Sequence, residues 1–144
     1  MTLSNSAAAF WREELRGIPP ARAPLGDRPR SASAAAKLRL TGIAIDYDTT
    51  NALRRLASEA GNDVGLVVQA IYQMLLYRHG SGYDLVVAEA MNSSQPETRL
   101  LLRRVRIDDS TTFAALLAQV QRRRREASEF LGSALADVLN LIGD

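Results

Sequence analysis

DVGLVVQAIYQMLLYRHGSGYDLVVAEAM, residues 63–91, is the stretch that decides the fold. Asp63 offers a carboxylate to cap a helix, and Val64, Val67, Val68, Ile71, Met74 and Leu75 then recur at helical spacing over about three turns. His79-Gly80-Ser81-Gly82 closes that helix, because glycine accepts the left-handed backbone a helix end requires. The run Leu85-Val86-Val87-Ala88 follows at once, within an apolar segment from Tyr83 to Met91 that suits a strand covered on both faces. A helix feeding directly into a buried strand predicts a chain that mixes α and β structure.

Working outward, Leu53, Leu56, Ala57 and Ala60 predict a helix upstream, capped by Asp48 or Thr49 and ended by Gly61-Asn62. Before it, Leu38 and Leu40, then Ile43 and Ile45, alternate with polar neighbours from Lys37 and predict a strand bulged at Gly42. Downstream, Leu101, Val105 and Ile107 alternate with Arg104 and Arg106 and predict a half-exposed strand. Ser110 or Thr111 then caps a helix whose inward residues are Phe113, Leu116, Leu117 and Val120. Ser4 or Ser6 caps a first helix through Arg16, which Gly17 and Pro19-Pro20 stop. Domain organisation follows: one domain over 1–144, with an N-terminal helix (1–17), an irregular strap (18–36), an α/β lobe (37–129) and a C-terminal amphipathic helix (130–144). The expected class is α+β with α/β-like character, a small mixed sheet of three strands packed with helices.

Composition narrows the chemistry. The 144 residues are 47% hydrophobic and 24% charged, which excludes general disorder. Eighteen Lys and Arg against sixteen Asp and Glu leave a net charge of +2, so the chain as a whole is not polybasic. There is no cysteine, which removes disulfides, thiolate metal sites and cysteine nucleophiles. With His79 the only histidine, paired-histidine chemistry is excluded as well. Its place at a helix end reads as capping. No cofactor site emerges: Gly80-Ser81-Gly82 follows a helix rather than opening one, the wrong context for cradling phosphate.

Other charges have structural readings. Glu89 lies inside the apolar strand and needs a partner, for which Arg103 or Arg104 of the neighbouring strand is suited. Asp108-Asp109 complements the start of the following helix. Four arginines, Arg122 to Arg125, suggest nucleic acid, but consecutive residues cover every side of a helix and so make no stripe. Glu126 and Glu129 at i+4 from Arg122 and Arg125 neutralise much of the run. The expectation is no nucleic acid partner. No membrane is expected either: Val64–Leu76 is too short to span and is broken by Gln69 and Gln73. With no signal-peptide pattern at Met1–Phe10, the expected location is the cytoplasm.

The order of several local motifs resembles a known family. Phe10-Trp11-Arg12-Glu13-Glu14-Leu15-Arg16-Gly17, followed by Asp27-Arg28-Pro29-Arg30, resembles the mid-chain helix and strap of condensation domains of nonribosomal peptide synthetases. Leu53–Gly61, Val64–Gly80, Tyr83–Val87, Val105-Arg106 and Phe113–Val120 resemble the family's next segments in the same order, so that similarity covers residues 7–129. The resemblance implies the C-terminal lobe of that domain, half of the two-lobed fold shared with chloramphenicol acetyltransferase. The HHxxxDG motif on which family catalysis depends belongs to the other half and is absent. The segment between Asn92 and Arg99 is shortened relative to the family, and its HQDxPFE motif is missing near Glu129-Phe130-Leu131-Gly132.

What the resemblance implies is a role in contacts: a non-catalytic scaffold or docking lobe, next to an adenylation or carrier-protein domain. Met1 stands directly before the family's mid-chain helix, so the expectation is a reduced lobe that begins there. One alternative is half of a split condensation enzyme completed by another chain; a lesser one is an arginine-rich nucleic-acid-binding domain. A lobe without its other half is expected to expose apolar surface and form a homodimer. Candidate contact residues are Leu131, Leu135, Val138, Leu139 and Ile142 of the last amphipathic stretch, with Trp11, Arg122 and Arg125. No catalytic, metal or cofactor residue is assigned.

Overall fold

Two strands and the helices laid against their two faces organise the protein. The computed structural model describes residues 3–19, 42–91, 99–130, 138 and 140. Its elements are α1 (Asn5–Glu14), α2 (Tyr47–Glu59), α3 (Val64–Arg78), β1 (Asp84–Met91), β2 (Arg99–Arg106) and α4 (Phe113–Ser128). The α+β class is as expected.

Each helix begins on an oxygen that accepts an otherwise unpaired amide. Ser4 caps α1 by accepting from Ala7 N–H, and Asp63 caps α3 by accepting from Leu66 N–H at 2.9 Å. Two caps differ from expectation. Asp46, not Asp48 or Thr49, caps α2 through Thr49 N–H at 2.8 Å. Thr112, not Ser110 or Thr111, caps α4. Asp108 instead accepts from Ser110 N–H and the hydroxyls of Ser110 and Thr111, holding a turn just ahead of the helix. Competing oxygens within a few residues account for both shifts.

The α2–α3 connection is tight. Gly61 takes φ 61°, Asn62 N–H reaches Ala57 O at 2.8 Å and Gly61 N–H reaches Ser58 O at 3.1 Å. That Schellman ending lets α3 start at once and pack against α2.

β1 pairs antiparallel with β2, from Asp84 opposite Arg106 to Met91 opposite Arg99. Period-two alternation sends Leu85, Val87 and Glu89, with Arg103 and Val105, to one face. That face packs on α2, α3 and α4 through Ala57, Leu66, Val67, Ala70, Leu116, Leu117 and Val120. The opposite face carries Val86 and Leu102 and packs on Ala7, Trp11 and Leu15 of the α1 region, with Ala127 and Val138. Along the outer side of β2, Gln119 of α4 accepts from Arg106 N–H at 2.7 Å and donates to Arg106 O at 3.1 Å, which closes part of that edge.

Three expectations change. The strand beginning at Lys37 lies partly outside the described residues, and its described end, 42–46, is not a strand; Ile43 and Ile45 are exposed there. The sheet among the described residues therefore has two antiparallel strands, not three in a mixed sheet. β2 is not half exposed: Arg104 is buried under α1. The inward face of α3 is also rotated from the expected one. Leu66, Val67, Ala70 and Gln73 are buried, whereas Val68 and Leu75 are exposed.

Candidate functional site

The charged residues of the hairpin are held by one another. Arg103 is fully buried and pairs with Glu89 across the strands, as the position of Glu89 implied. Burial pushes the Arg103 guanidinium below its ordinary value, against the opposing pull of Glu89. Its Nε and Nη1 find no hydrogen-bond partner among the described residues.

On the opposite face Arg104 is saturated. Its Nε and Nη2 donate to the two Asp84 carboxylate oxygens at 2.7 and 2.6 Å. Its Nη1 donates to Glu14 O and Arg16 O, both at 2.8 Å, at the carbonyl end of α1. One guanidinium thus joins the sheet to the helix, where the macrodipole also favours a cation. Hydrogen bonding to Arg104 holds the Asp84 carboxyl below the usual carboxylate range, and the same bonds raise Arg104.

The arginine run of α4 is likewise engaged. Arg123 pairs with Glu14 at 3.1 Å and Glu126 at 2.9 Å, and Arg124 pairs with Asp63 at 2.5 Å. Arg122 lies 3.9 Å from Glu126, and Arg125 is on the surface. Burial raises the Glu14 carboxyl even though Arg123 opposes it. Asp63 goes the other way: burial acts to raise it, but the Leu66 amide and Arg124 together hold it low.

The expected contact residues are divided by the structure. Trp11 is 2% exposed and Val138 is buried in the same cluster, so both pack within the lobe and neither lies at its surface. Arg122 and Arg125 are on the surface of α4. Leu131, Leu135, Leu139 and Ile142 lie outside the described residues. His79 is the exposed C-cap residue of α3.

Two surface features are formed by residues other than the expected contact residues. One is an open groove of about 770 Å³ lined by Met74, Tyr77, Arg78, Asp108, Asp109, Thr111 and Phe113, in which Tyr77 Oη donates to Asp109 at 2.6 Å. That bond raises the phenol. The other is a stripe along α3, where Val68, Tyr72 and Leu75 are 43%, 51% and 49% exposed. Their i, i+4, i+7 spacing is visible in the sequence, but so are apolar residues on every other side of that helix. Among the described residues no His, Cys, Asp and Glu cluster could hold a metal ion, and no helix is long and apolar enough to cross a membrane.

No family model matches the sequence. Curated proteins do. The chain is 33% identical over 127 residues to phosphinothricin tripeptide synthetase PhsC of Streptomyces viridochromogenes, covering 82% of this chain and 12% of that protein. It is 31% identical over 126 residues to the probable non-canonical nonribosomal peptide synthetase CymA of Salinispora arenicola, covering 81% and 2%. Chondramide synthase cmdD of Chondromyces crocatus is 26% identical over 145 residues, covering 93% and 4%. Its homologues are nonribosomal peptide synthetases.

Solved structures are similar to the chain as well. The X-domain from teicoplanin biosynthesis, a condensation-like domain, superposes with a TM-score of 0.87 at 28% identity, covering 96% of this chain and 33% of that chain. The complex of the X-domain and OxyB from teicoplanin biosynthesis matches with a TM-score of 0.86 at 28% identity, over the same shares. The resemblance carried by the ordered motifs is thereby borne out. The lobe spans a third of the X-domain and at most 12% of these three synthetases.

Proposed function

We propose that this condensation-like lobe is a non-catalytic module of nonribosomal peptide biosynthesis, of the antibiotic-forming kind, that works through protein contacts. The observation that carries the reading is what the buried charges do. Glu89, Asp84, Arg103 and Arg104 are engaged in ion pairs inside the lobe, and the single histidine stands exposed at a helix end with no carboxylate bonded to it among the described residues. General acid–base work needs a group poised beside an open site, and these groups are not so placed. A solved complex of a similar X-domain with a second protein, OxyB, supports docking as the role. The partners that fit are an adenylation domain, a carrier-protein domain or an enzyme acting on the carried peptide.

A direct test mixes the chain with two loaded carrier proteins and follows the aminoacyl groups by mass spectrometry. No peptide bond is expected, and a bond formed by this chain alone overturns the reading. Titration against purified adenylation and carrier-protein domains of the same biosynthetic system should give saturable binding to one of them. The alternative is half of a split condensation enzyme completed by another chain. Co-expression with a lobe that brings the HHxxxDG histidines should then yield a stable, active complex; two separate proteins would eliminate it.

A further inference from the structure

The apolar stripe of α3 has a feature that ordinary surface exposure does not. Gly65, Val68, Tyr72 and Leu75 follow one another at spacings of three, four and three residues, all exposed, with no charged side chain among them. This is the a/d seam of a helix that packs on another helix. At one end of the seam is Asp63, still 57% exposed while it pairs with Arg124. At the other is Arg78, exposed and without an ion pair among the described residues.

We infer that this seam is the contact between two copies of the chain, with the α3 helices crossing antiparallel. This goes beyond the docking role, gives the expected homodimer a surface, and does not depend on which synthetase domain the lobe meets. Placed with a two-fold axis between Val68 and Tyr72, the seam is complementary to itself. Each Tyr72 ring meets the other copy's Val68, and each Leu75 side chain lies over the other copy's Gly65, large against small. The same operation brings each Arg78 to the other copy's Asp63, so opposite charges close both ends at once. A parallel pairing would set Arg78 against Arg78 and Asp63 against Asp63. The isologous antiparallel arrangement is therefore the one the charges select.

The contact is small. Three half-exposed apolar side chains per copy fall below the roughly 800 Å² per partner of a standard stable interface, so the dimer should be weak, with a dissociation constant of roughly 10–100 µM. Tyr72 sits at its centre, where aromatic residues dominate binding.

Sedimentation velocity of the full chain, from about 1 to 500 µM, tests this. Expected is a monomer–dimer equilibrium that Tyr72→Glu and Val68→Asp each weaken at least about tenfold, whereas Arg125→Glu on α4 leaves it unchanged. Circular dichroism of the variants confirms folding, since both residues are already exposed. The absence of cysteine allows a second measurement. Mild oxidation of an equal mixture of Val68→Cys and Tyr72→Cys chains should yield the mixed disulfide dimer faster than either chain yields its own. A monomer over the whole range, or a dimer indifferent to Tyr72→Glu, overturns the inference. So does cross-linking that shows no preference for the mixed pair. Catalysis by the isolated chain would instead overturn the docking role and leave these measurements as they are.

Discussion

Arg104→Met isolates the contact that ties the sheet to α1. Methionine keeps most of the stem and removes the guanidinium, and with it two bonds to Asp84 and two to the carbonyls of Glu14 and Arg16. Asp84, whose side chain is 5% exposed, is left with Arg106 at 3.4 Å, a side chain that is itself 68% exposed. Breaking one partner out of a buried pair costs about 3–5 kcal/mol, because the survivor keeps its desolvation cost. The two α1 carbonyls add little if water reaches them. At roughly 2–4 °C per kcal/mol for a domain of this size, the thermal midpoint should fall by about 6–20 °C. Urea unfolding followed by circular dichroism gives the free energy directly. Arg104→Met combined with Asp84→Leu should regain about half of the loss, since no lone charge then remains. The pH dependence has a definite sign. The folded-state pKa of Asp84 is depressed, so its contribution is present above the unfolded value of about 3.9 and is lost as pH falls through the folded one. The gap between wild type and Arg104→Met should therefore hold from about pH 5 upward and close at lower pH. A loss below about 1 kcal/mol at pH 7 would mean that the pair behaves as a surface salt bridge, and would refute the reasoning.

Glu14 has the opposite sign. Its carboxyl is raised by burial, so its ionisation disfavours the fold as pH rises through the folded pKa, and Glu14→Gln should be more favourable to stability at pH 7 than at pH 4, as urea midpoints at the two values will show. Gln73 is fully buried in α3 and neither amide atom has a hydrogen-bond partner among the described residues. Gln73→Met should therefore stabilise by about 1–2 kcal/mol in the same assay, and destabilisation would show that the amide has a bonded partner such as an ordered water. Heparin should retain the protein only weakly at low salt. Arg122, Arg123 and Arg124 face Glu126, Glu14 and Asp63, so changing Arg122 to Arg125 to Gln should barely alter elution; a steep salt dependence that this change abolishes would favour nucleic acid binding.

Legibility follows the kind of signal. Asp63 as a cap, the strand from Asp84 and the pairing of Glu89 with an arginine are readable because each has one dominant physical cause close in sequence or one register away. The buried face of α3 is not. Fourteen residues from Val64 to Tyr77 contain only Gly65, Gln69 and Gln73 outside the apolar and aromatic types, so helical periodicity has little polar face to point with. Gln73 even points inward. Arg104 misleads for a related reason. Alternation marks it as belonging to the polar side of β2, and only the arrival of α1, some ninety positions earlier in the chain, turns that side into interior. Ile43 and Ile45 mislead in the reverse direction, alternating like strand residues without forming a strand.

These departures bear on function through a common cause. Arg103, Arg104 and Arg123 are paired inside the lobe while Val68, Tyr72 and Leu75 lie outside, which separates the residues that hold the fold from those free to meet a partner. Arg104 and Arg123 join elements distant in the chain and Arg103 ties the two strands together, so their removal loosens the fold before it alters any site. Val68, Tyr72 and Leu75 join nothing within the lobe with their exposed halves, so their removal should leave the fold intact and alter association. The separation is itself testable by comparing the two sets: stability should follow the arginines, and assembly should follow the apolar seam. An arginine variant that dissociates the assembly while its unfolding midpoint stays unchanged would break the separation, and would place the contact on α4 or β2 instead of α3.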